Sequence, residues 1–231
     1  MKRLLKWIIP VLAIFFTSSC QSKSKAENNQ KAQIDADKAE IVAKTTLQDL
    51  EQYETAYFAS GCFWCVEVIF ENVKGVAEVI SGYAGGTEEN PTYEEVSYGK
   101  TTHAEAVEVY YDPKIITFTE LVQVFFGSHD PTTLNRQGPD RGPQNRSIAF
   151  YKSETERKII QAYIKALTDN MVYDRPIVTE VAPFTIFYKA EDYHQDYERR
   201  NPDNPYIRNI SIPRYNRFKK NFAEYLKENA H

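Results

Sequence analysis

The sequence has few of the residues that bind metals or nucleic acids. Its 231 residues include three cysteines and four histidines, and acidic residues outnumber basic ones by 32 to 28, which gives a net charge of −4. Cys62 and Cys65 stand close together, but no second pair of cysteines or histidines lies at the spacing of zinc ligands. A chain of net negative charge also has no electrostatic footprint for a phosphate backbone. The sequence therefore predicts neither a metal centre nor a nucleic-acid interface.

The apolar run near the N-terminus, residues 7–16, is too short for a stable membrane-spanning helix. Basic residues precede it, and Thr17-Ser18-Ser19-Cys20 follows it. This arrangement resembles the lipobox of bacterial lipoprotein signal peptides, in which the cysteine is diacylated, although Thr17 replaces the usual aliphatic residue. An ordinary cleaved signal with an incidental cysteine is the alternative. The lipoprotein interpretation predicts lipidation of Cys20 and a membrane-anchored protein of the cell envelope, facing the periplasm or in the outer membrane.

Composition divides the chain into three parts. We predict a lipoprotein signal peptide over residues 1–19, and a lipidated Cys20 with a polar tether over residues 20–46. The tether is rich in Lys, Glu, Asn, Gln and Ala and has too few apolar residues to pack. The remaining residues, 47–231, are predicted to form one globular domain, and nothing in them requires more than a monomer.

Residues 57–70 organise this domain. They predict a short strand, a glycine turn at Gly61 and a helix that begins at Cys62. The free N–H groups and dipole of a helix N-terminus favour a thiolate, so we expect a stabilised thiolate at Cys62. Cys65 follows one helical turn later. A structural disulfide and two inert core cysteines are the alternatives, and the position favours redox chemistry.

Periodicity predicts strands over residues 55–59, 76–83, 104–111 and 147–151, and helices over residues 62–72, 117–126 and 153–169. Ser153 and Glu156 predict a capping box for the last of these helices. Residues 93–98 are a short helix or loop, and residues 129–146 a long irregular loop. We also predict a pair of strands over residues 177–181 and 185–188, and a C-terminal helix over residues 214–227.

The order strand, helix, strand, strand, helix, strand is that of a split βαβ unit. It predicts an α+β fold, a two-layer sandwich with a ferredoxin-like core and a mixed or antiparallel sheet. An open doubly wound sheet of the thioredoxin type is the competing topology. It is disfavoured because two strands follow one another between the first two helices.

A series of motifs, in one order, resembles the peptide methionine sulfoxide reductase A family and covers essentially everything after the tether. The motifs are Gly61-Cys62-Phe63-Trp64, Gly82-Tyr83, Asn90-Pro91-Thr92-Tyr93-Glu94-Glu95-Val96, His103-Ala104-Glu105-Ala106-Val107, His129-Asp130-Pro131-Thr132, Asp140-Arg141-Gly142 and Glu191-Asp192-Tyr193-His194-Gln195. The resemblance implies an enzyme that reduces methionine-S-sulfoxide, free or in proteins. Together with the predicted lipid anchor, it predicts repair of oxidised envelope proteins.

The resemblance also implies the catalytic residues. Cys62 would attack the sulfoxide sulfur and become a sulfenic acid, while Glu105, kept protonated, would donate a proton to the oxygen. Cys65 occupies a position that is glycine in much of the family, and it would resolve the sulfenic acid to a disulfide. Many relatives instead have a resolving cysteine after an Asn-Pro…Tyr segment, but here Ile207 follows Tyr206. A thioredoxin-like protein would reduce the disulfide, and no bound cofactor is implied.

The remaining matches define a substrate pocket. Phe63 and Trp64 would receive the methyl group, the Tyr93 hydroxyl would hold the oxygen, and Asp140 would orient the site. Two further residues, His194 and Tyr197, would line the same pocket. Asn145 stands where the family commonly has a tyrosine, and an amide is a shorter partner for the oxygen and no acid. If the motifs are set aside, Glu105 is interpreted as an exposed carboxylate on a strand. The aromatic residues are then interpreted as core residues, and His194 as a structural histidine.

Two other functions compete with this interpretation. A thiol–disulfide oxidoreductase would use the two cysteines alone and would not need Glu105 or Tyr93. A non-catalytic lipoprotein would use them as a structural bridge. The carboxylate and the aromatic residues at motif positions argue against both.

Overall fold

The computed structural model describes residues 50–228 and residue 230. The predicted signal peptide, Cys20 and the tether lie outside the described residues. Within the described part, no helix is long and apolar enough to cross a membrane.

Eight strands and six α-helices form the described domain. The strands are β1 (Glu54–Ser60), β2 (Val76–Ala84), β3 (Ala104–Tyr111), β4 (Arg136–Gln137), β5 (Asp140–Arg141), β6 (Ser147–Tyr151), β7 (Glu180–Pro183) and β8 (Phe187–Lys189). The helices are α1 (Phe63–Glu71), α2 (Tyr93–Ser97), α3 (Phe118–Gly127), α4 (Glu154–Asp169), α5 (Tyr197–Arg200) and α6 (Ile212–Asn221). Single turns cover Pro143–Asn145, Asp192–His194, Ile207–Ser211 and Ala223–Tyr225.

Six strands form one sheet in the order β7-β6-β1-β3-β2-β8. β1 is antiparallel to both β3 and β6, and β2 is antiparallel to β3. The inner order β6-β1-β3-β2, with α1 and α3 between its strands along the chain, is the ferredoxin-like split βαβ arrangement. β7 runs parallel to β6 and makes the sheet mixed. The predicted α+β sandwich is confirmed.

An aromatic core joins the sheet to its helices. Phe58 of β1 is fully buried, and its ring stacks on Phe70 of α1 at 5.2 Å between centroids and on Phe125 of α3 at 5.0 Å. Burying a phenylalanine stabilises a fold by about 1.5–3 kcal/mol, and ring pairs add about 0.5–1.5 kcal/mol. This packing fixes the direction of α1, and therefore the position of the residue at its N-terminus.

Local capping signals explain where the helices begin. Thr117 and Glu120 form a complete capping box for α3. At α4, the Ser153 hydroxyl accepts the Glu156 amide, as predicted, but the Glu156 carboxylate accepts the amide of Lys152. The second half of the predicted capping box is therefore wrong, because the Glu156 side chain reaches one residue beyond the cap.

Two predictions for the last third of the chain are wrong. The two strands beyond α4 do not pair with each other: β7 extends the sheet beside β6 and β8 extends it beside β2, at the opposite edge. The C-terminal helix begins at Ile212 and ends at Asn221, six residues before the predicted end. It stops there because Leu226 makes a β-bridge with Val73, which draws the chain out of its helical path.

The predicted irregular loop contains the small β4–β5 hairpin.

Candidate active site

The junction between β1 and α1 presents Cys62. Gly61 has a φ of 86°, a left-handed conformation, and a Cβ atom there would lie 2.5 Å from the Cβ of Gln137. This position therefore requires glycine. Cys62 is the N-cap of α1, as predicted, and Cys65 follows one turn later, where its amide donates to the carbonyl of Cys62 at 3.2 Å. Both cysteines are buried free thiols.

The two cysteines lie in environments that shift their pKa values in opposite directions. Burial raises the pKa of the Cys62 thiol, which donates a hydrogen bond to Cys65. That hydrogen bond, followed by the positive charge of Arg214, lowers the pKa of Cys65 to about 6. A helix N-terminus contributes only about 0.3–1 kcal/mol, less than burial of a charge costs. Burial thus opposes the stabilisation of a Cys62 thiolate that the helix N-terminus provides.

Arg214 of α6 supplies the positive charge beneath this pair. Its side chain is buried and donates to the Ser128 carbonyl at 2.8 Å and to the Ser60 hydroxyl at 3.2 Å. No carboxylate forms an ion pair with it among residues 50–228. A buried guanidinium without a carboxylate partner is costly, and the Cys65 thiolate offsets part of that cost. The sequence places the predicted C-terminal helix from Arg214 onward and suggests that its basic residues solvate the surface, which is wrong for Arg214 because its side chain is buried.

Glu105 lies on β3, next to the start of α1. The amide of Phe63, one of the free N–H groups of the helix N-terminus, donates to its Oε2 at 3.1 Å. The side chain is buried, and burial raises the pKa of the Glu105 carboxyl to about 8, although the Phe63 hydrogen bond opposes this. The carboxyl is thus protonated at neutral pH. The alternative of an exposed strand carboxylate is wrong.

Aromatic rings from three separate segments pack against one another beside Cys62. Phe63 lies with its ring centroid 5.1 Å from that of His194, and Tyr93 lies 4.3 Å from the same ring. Trp64 stacks on Tyr197 at 3.7 Å with the planes 7° apart. The structure therefore brings together all five aromatic residues that the sequence analysis assigned to the pocket.

His194 is a buried neutral residue of this pocket. Its Nδ1 accepts the Trp64 Nε1–H at 3.2 Å, and burial lowers its pKa to about 4. Its Nε2 has no hydrogen-bond partner in the described part of the chain. A purely structural histidine would have both nitrogens paired, whereas a pocket wall can leave one for a ligand.

Tyr93 is held by backbone contacts and not by its hydroxyl. Thr92 and Glu95 cap α2 with a complete capping box, and the Tyr93 amide donates to Glu191 Oε1 at 3.0 Å. Glu191 accepts the Tyr83 hydroxyl at its other oxygen, at 2.8 Å. No residue within 50–228 is hydrogen-bonded to the Tyr93 hydroxyl, so this group is available to a ligand.

Tyr206 is a residue of the site that the sequence analysis did not assign. Its hydroxyl donates to Asp140 Oδ2 at 2.6 Å and lies 3.8 Å from the Cys65 sulfur, while its ring meets Trp64 edge-on at 6.0 Å. The structure places Asp140 in the site through this contact. The available signal was the Asn-Pro…Tyr segment, which precedes a resolving cysteine in many relatives.

Asn145 lies near the site but is not joined to it. It ends the Pro143–Asn145 turn, which packs against β3, and it is buried. Its side chain makes no hydrogen bond to Cys62, Tyr93 or Glu105 in the described structure. Its predicted contact with the sulfoxide oxygen stays a prediction.

Comparisons with known proteins agree with this geometry. Residues 54–226 match the family described as Peptide methionine sulfoxide reductase. Peptide methionine sulfoxide reductase MsrA 1 of Rhodopirellula baltica is 48% identical over 174 residues, which are 75% of this chain and 90% of that protein. MsrA of Natronomonas pharaonis is 49% identical over 170 residues, 74% of this chain and 96% of that protein.

Solved structures are similar as well. Reduced Mxr1 of Saccharomyces cerevisiae matches with a TM-score of 0.60 and 35% identity, over 67% of this chain and 88% of that one. Methionine sulfoxide reductase A of Corynebacterium diphtheriae matches with a TM-score of 0.59 and 39% identity, over 65% of this chain and 76% of that one.

Proposed function

The chain belongs to the peptide methionine sulfoxide reductase family, and we propose that it reduces methionine-S-sulfoxide, free or in proteins, with Cys62 as the nucleophile. One observation carries the assignment of the catalytic residues. The protonated carboxyl of Glu105 is hydrogen-bonded to the first turn of the helix that presents Cys62. The nucleophile and the acid that sulfoxide reduction requires thus lie side by side at the start of α1.

In the first step, the sulfoxide oxygen lies between the Glu105 carboxyl and the Tyr93 hydroxyl, and the methyl group packs on Phe63 and Trp64. The proton of the Cys62 thiol passes along its hydrogen bond to the Cys65 thiolate, which makes Cys62 the nucleophile. Cys62 sulfur attacks the substrate sulfur, while Glu105 gives its proton to the oxygen. Methionine leaves, and Cys62 retains the oxygen as a sulfenic acid.

In the second step, Cys65 attacks the Cys62 sulfur and water leaves. The product is a Cys62–Cys65 disulfide across one helical turn. Both sulfurs are buried, and the Tyr206 hydroxyl and the Arg214 charge lie on the Cys65 side. A thioredoxin-like dithiol then reduces the disulfide by exchange, and no bound cofactor takes part.

A single-turnover experiment tests this function. The reduced full chain is mixed with the separate S and R epimers of a blocked methionine sulfoxide, without reductant, and methionine is measured. We expect nearly one methionine per chain from the S epimer, none from the R epimer and none from Cys62→Ser. Cys20→Ser is the matched control, because it changes the cysteine outside the pair and should keep the full yield. If neither epimer yields methionine, the assignment is refuted and a thiol–disulfide oxidoreductase, which does not need Glu105, is favoured.

For localisation, we propose a lipid anchor at Cys20 that attaches a monomeric enzyme to a membrane of the cell envelope, facing the periplasm or in the outer membrane. The support is the sequence pattern of residues 1–20 alone. A tethered enzyme there would repair oxidised envelope proteins. Fatty-acid labelling and membrane fractionation test this proposal. The Cys20→Ser chain should incorporate no fatty acid and should be absent from the membrane fraction. Equal membrane binding by Cys20→Ser would contradict it.

A further inference from the structure

Met171 is the one methionine of the sequence besides Met1, and it lies at the C-terminal end of α4. Its side chain is 83% exposed, and every residue from 168 to 172 is exposed. The corner is convex and rigid, because the Met171 amide donates to the Thr168 carbonyl and the Val172 amide to the Leu167 carbonyl, both at 3.0 Å. These two bonds form a Schellman motif.

The backbone at Met171 makes this residue an unusual choice. Its φ is 51°, the left-handed conformation that favours glycine at the end of a helix. The other non-glycine residues with positive φ in the described structure are Asn90, Asn135 and Asp196, types whose side chains tolerate it. Met171 thus neither suits its backbone nor packs in the core. What it offers is a thioether in open solvent.

We propose that Met171, once oxidised to its sulfoxide, is a substrate of a second copy of this chain, so that the protein removes oxidants through its own methionine. This inference rests on the proposed function. A second copy is required because Met171 is held at the end of α4, which packs on α3, β6 and β7, whereas Cys62 lies at the start of α1. An exposed side chain at the end of a helix can approach the aromatic residues beside Cys62 of another molecule.

The cycle balances with hydrogen peroxide as the oxidant. The Met171 sulfur takes one oxygen atom from the peroxide, which leaves as water. The Cys62 and Cys65 thiols of the second copy then supply two electrons and two protons. These restore the thioether, release the oxygen as water and leave a disulfide. A dithiol donor reduces that disulfide, so each cycle consumes one peroxide and one dithiol.

The test separates the substrate copy from the enzyme copy. The substrate is the full-length Cys62→Ser chain, treated with hydrogen peroxide and then freed of it, which cannot repair itself. The enzyme is the reduced full-length Met171→Leu chain, which has no Met171 signal of its own. Mass spectrometry follows the tryptic peptide of residues 166–189, because Pro176 blocks cleavage after Arg175; its sulfoxide form is about 16 Da heavier. We expect about half of this sulfoxide to disappear, because oxidation forms both epimers and one is reduced.

Two further measurements separate the possible outcomes. If the enzyme reduces the isolated oxidised peptide but not the folded substrate chain, the inference is overturned and the proposed function stands. If it reduces neither that peptide nor a blocked methionine sulfoxide, the proposed function fails as well. Should Cys62→Ser not fold, peroxide consumption with excess dithiol is compared for the wild type and Met171→Leu. Faster consumption by the wild type supports the cycle, and equal rates refute it.

Discussion

Replacing Glu105 with glutamine should stabilise the fold and disable the enzyme. Glu105 is buried, and burial raises its pKa from 4.5 to about 8. Between these values the unfolded chain loses the proton and the folded chain keeps it. The stabilising contribution of the protonated carboxyl is therefore complete below about pH 4.5 and is lost as the pH rises through 8. Glutamine does not ionise, so at this position it removes the loss of stability with rising pH.

The magnitude follows from the same pKa values. Stability falls by about 1.4 kcal/mol for each pH unit in this range, so at pH 7 Glu105→Gln should gain on the order of 3 kcal/mol. For a domain of this size, that gain raises the melting temperature by about 6–12 °C. At pH 4 the gain should vanish. The same change removes the proton donor, and the burst of methionine should slow about 10²–10⁴-fold.

Urea unfolding at several pH values and rapid-quench measurement of the methionine burst test the two halves separately. Glu108→Gln is the matched control, because Glu108 is on the same strand and accepts the Tyr57 hydroxyl at 2.6 Å outside the pocket. It should leave the methionine burst unchanged. A Glu105→Gln chain that kept its burst, or that gained the same stability at pH 4 as at pH 7, would refute this account of the acid.

Other substitutions test the remaining roles. Cys65→Ser should release one methionine per chain and then hold a sulfenic acid, detected by dimedone labelling; sustained turnover with thioredoxin would contradict the resolving role. Arg214→Gln should move the pH profile of disulfide formation upward, since the guanidinium favours the Cys65 thiolate, whereas Arg214→Lys should keep most of the wild-type profile. Tyr206→Phe removes the hydroxyl that donates to Asp140 beside the Cys65 sulfur and should slow disulfide formation up to about tenfold, because a typical hydrogen bond is worth about 0.5–1.5 kcal/mol; an unchanged rate measured by thiol quench would refute it. Asn145→Tyr should tighten sulfoxide binding modestly; unchanged affinity and turnover would show that Asn145 has no contact with the oxygen.

The sequence predicted those parts of the fold that local signals determine. The first four main strands and the helices α1, α3 and α4 lie within a residue or two of their predicted bounds, because apolar periodicity and capping residues such as Thr117 act within a few residues. The position of Cys62 at a helix N-terminus followed from the glycine turn before it. The strands beyond α4 were mispaired, because no local signal says which sheet edge a short strand joins.

Motifs identified the family and the candidate residues, but only the tertiary structure decided their chemistry. Burial makes Glu105 an acid and Cys62 a thiol, and no sequence pattern measures burial. The positive charge of Arg214 lowers the pKa of Cys65. The hydroxyl group next to the Cys65 sulfur belongs to Tyr206, 141 residues further along the chain. Such contacts arise when α6 and the turn before it pack against α1. The sequence motifs thus identified candidate residues, whereas long-range packing brought Tyr206 and Arg214 to them and buried the groups whose pKa values it shifts.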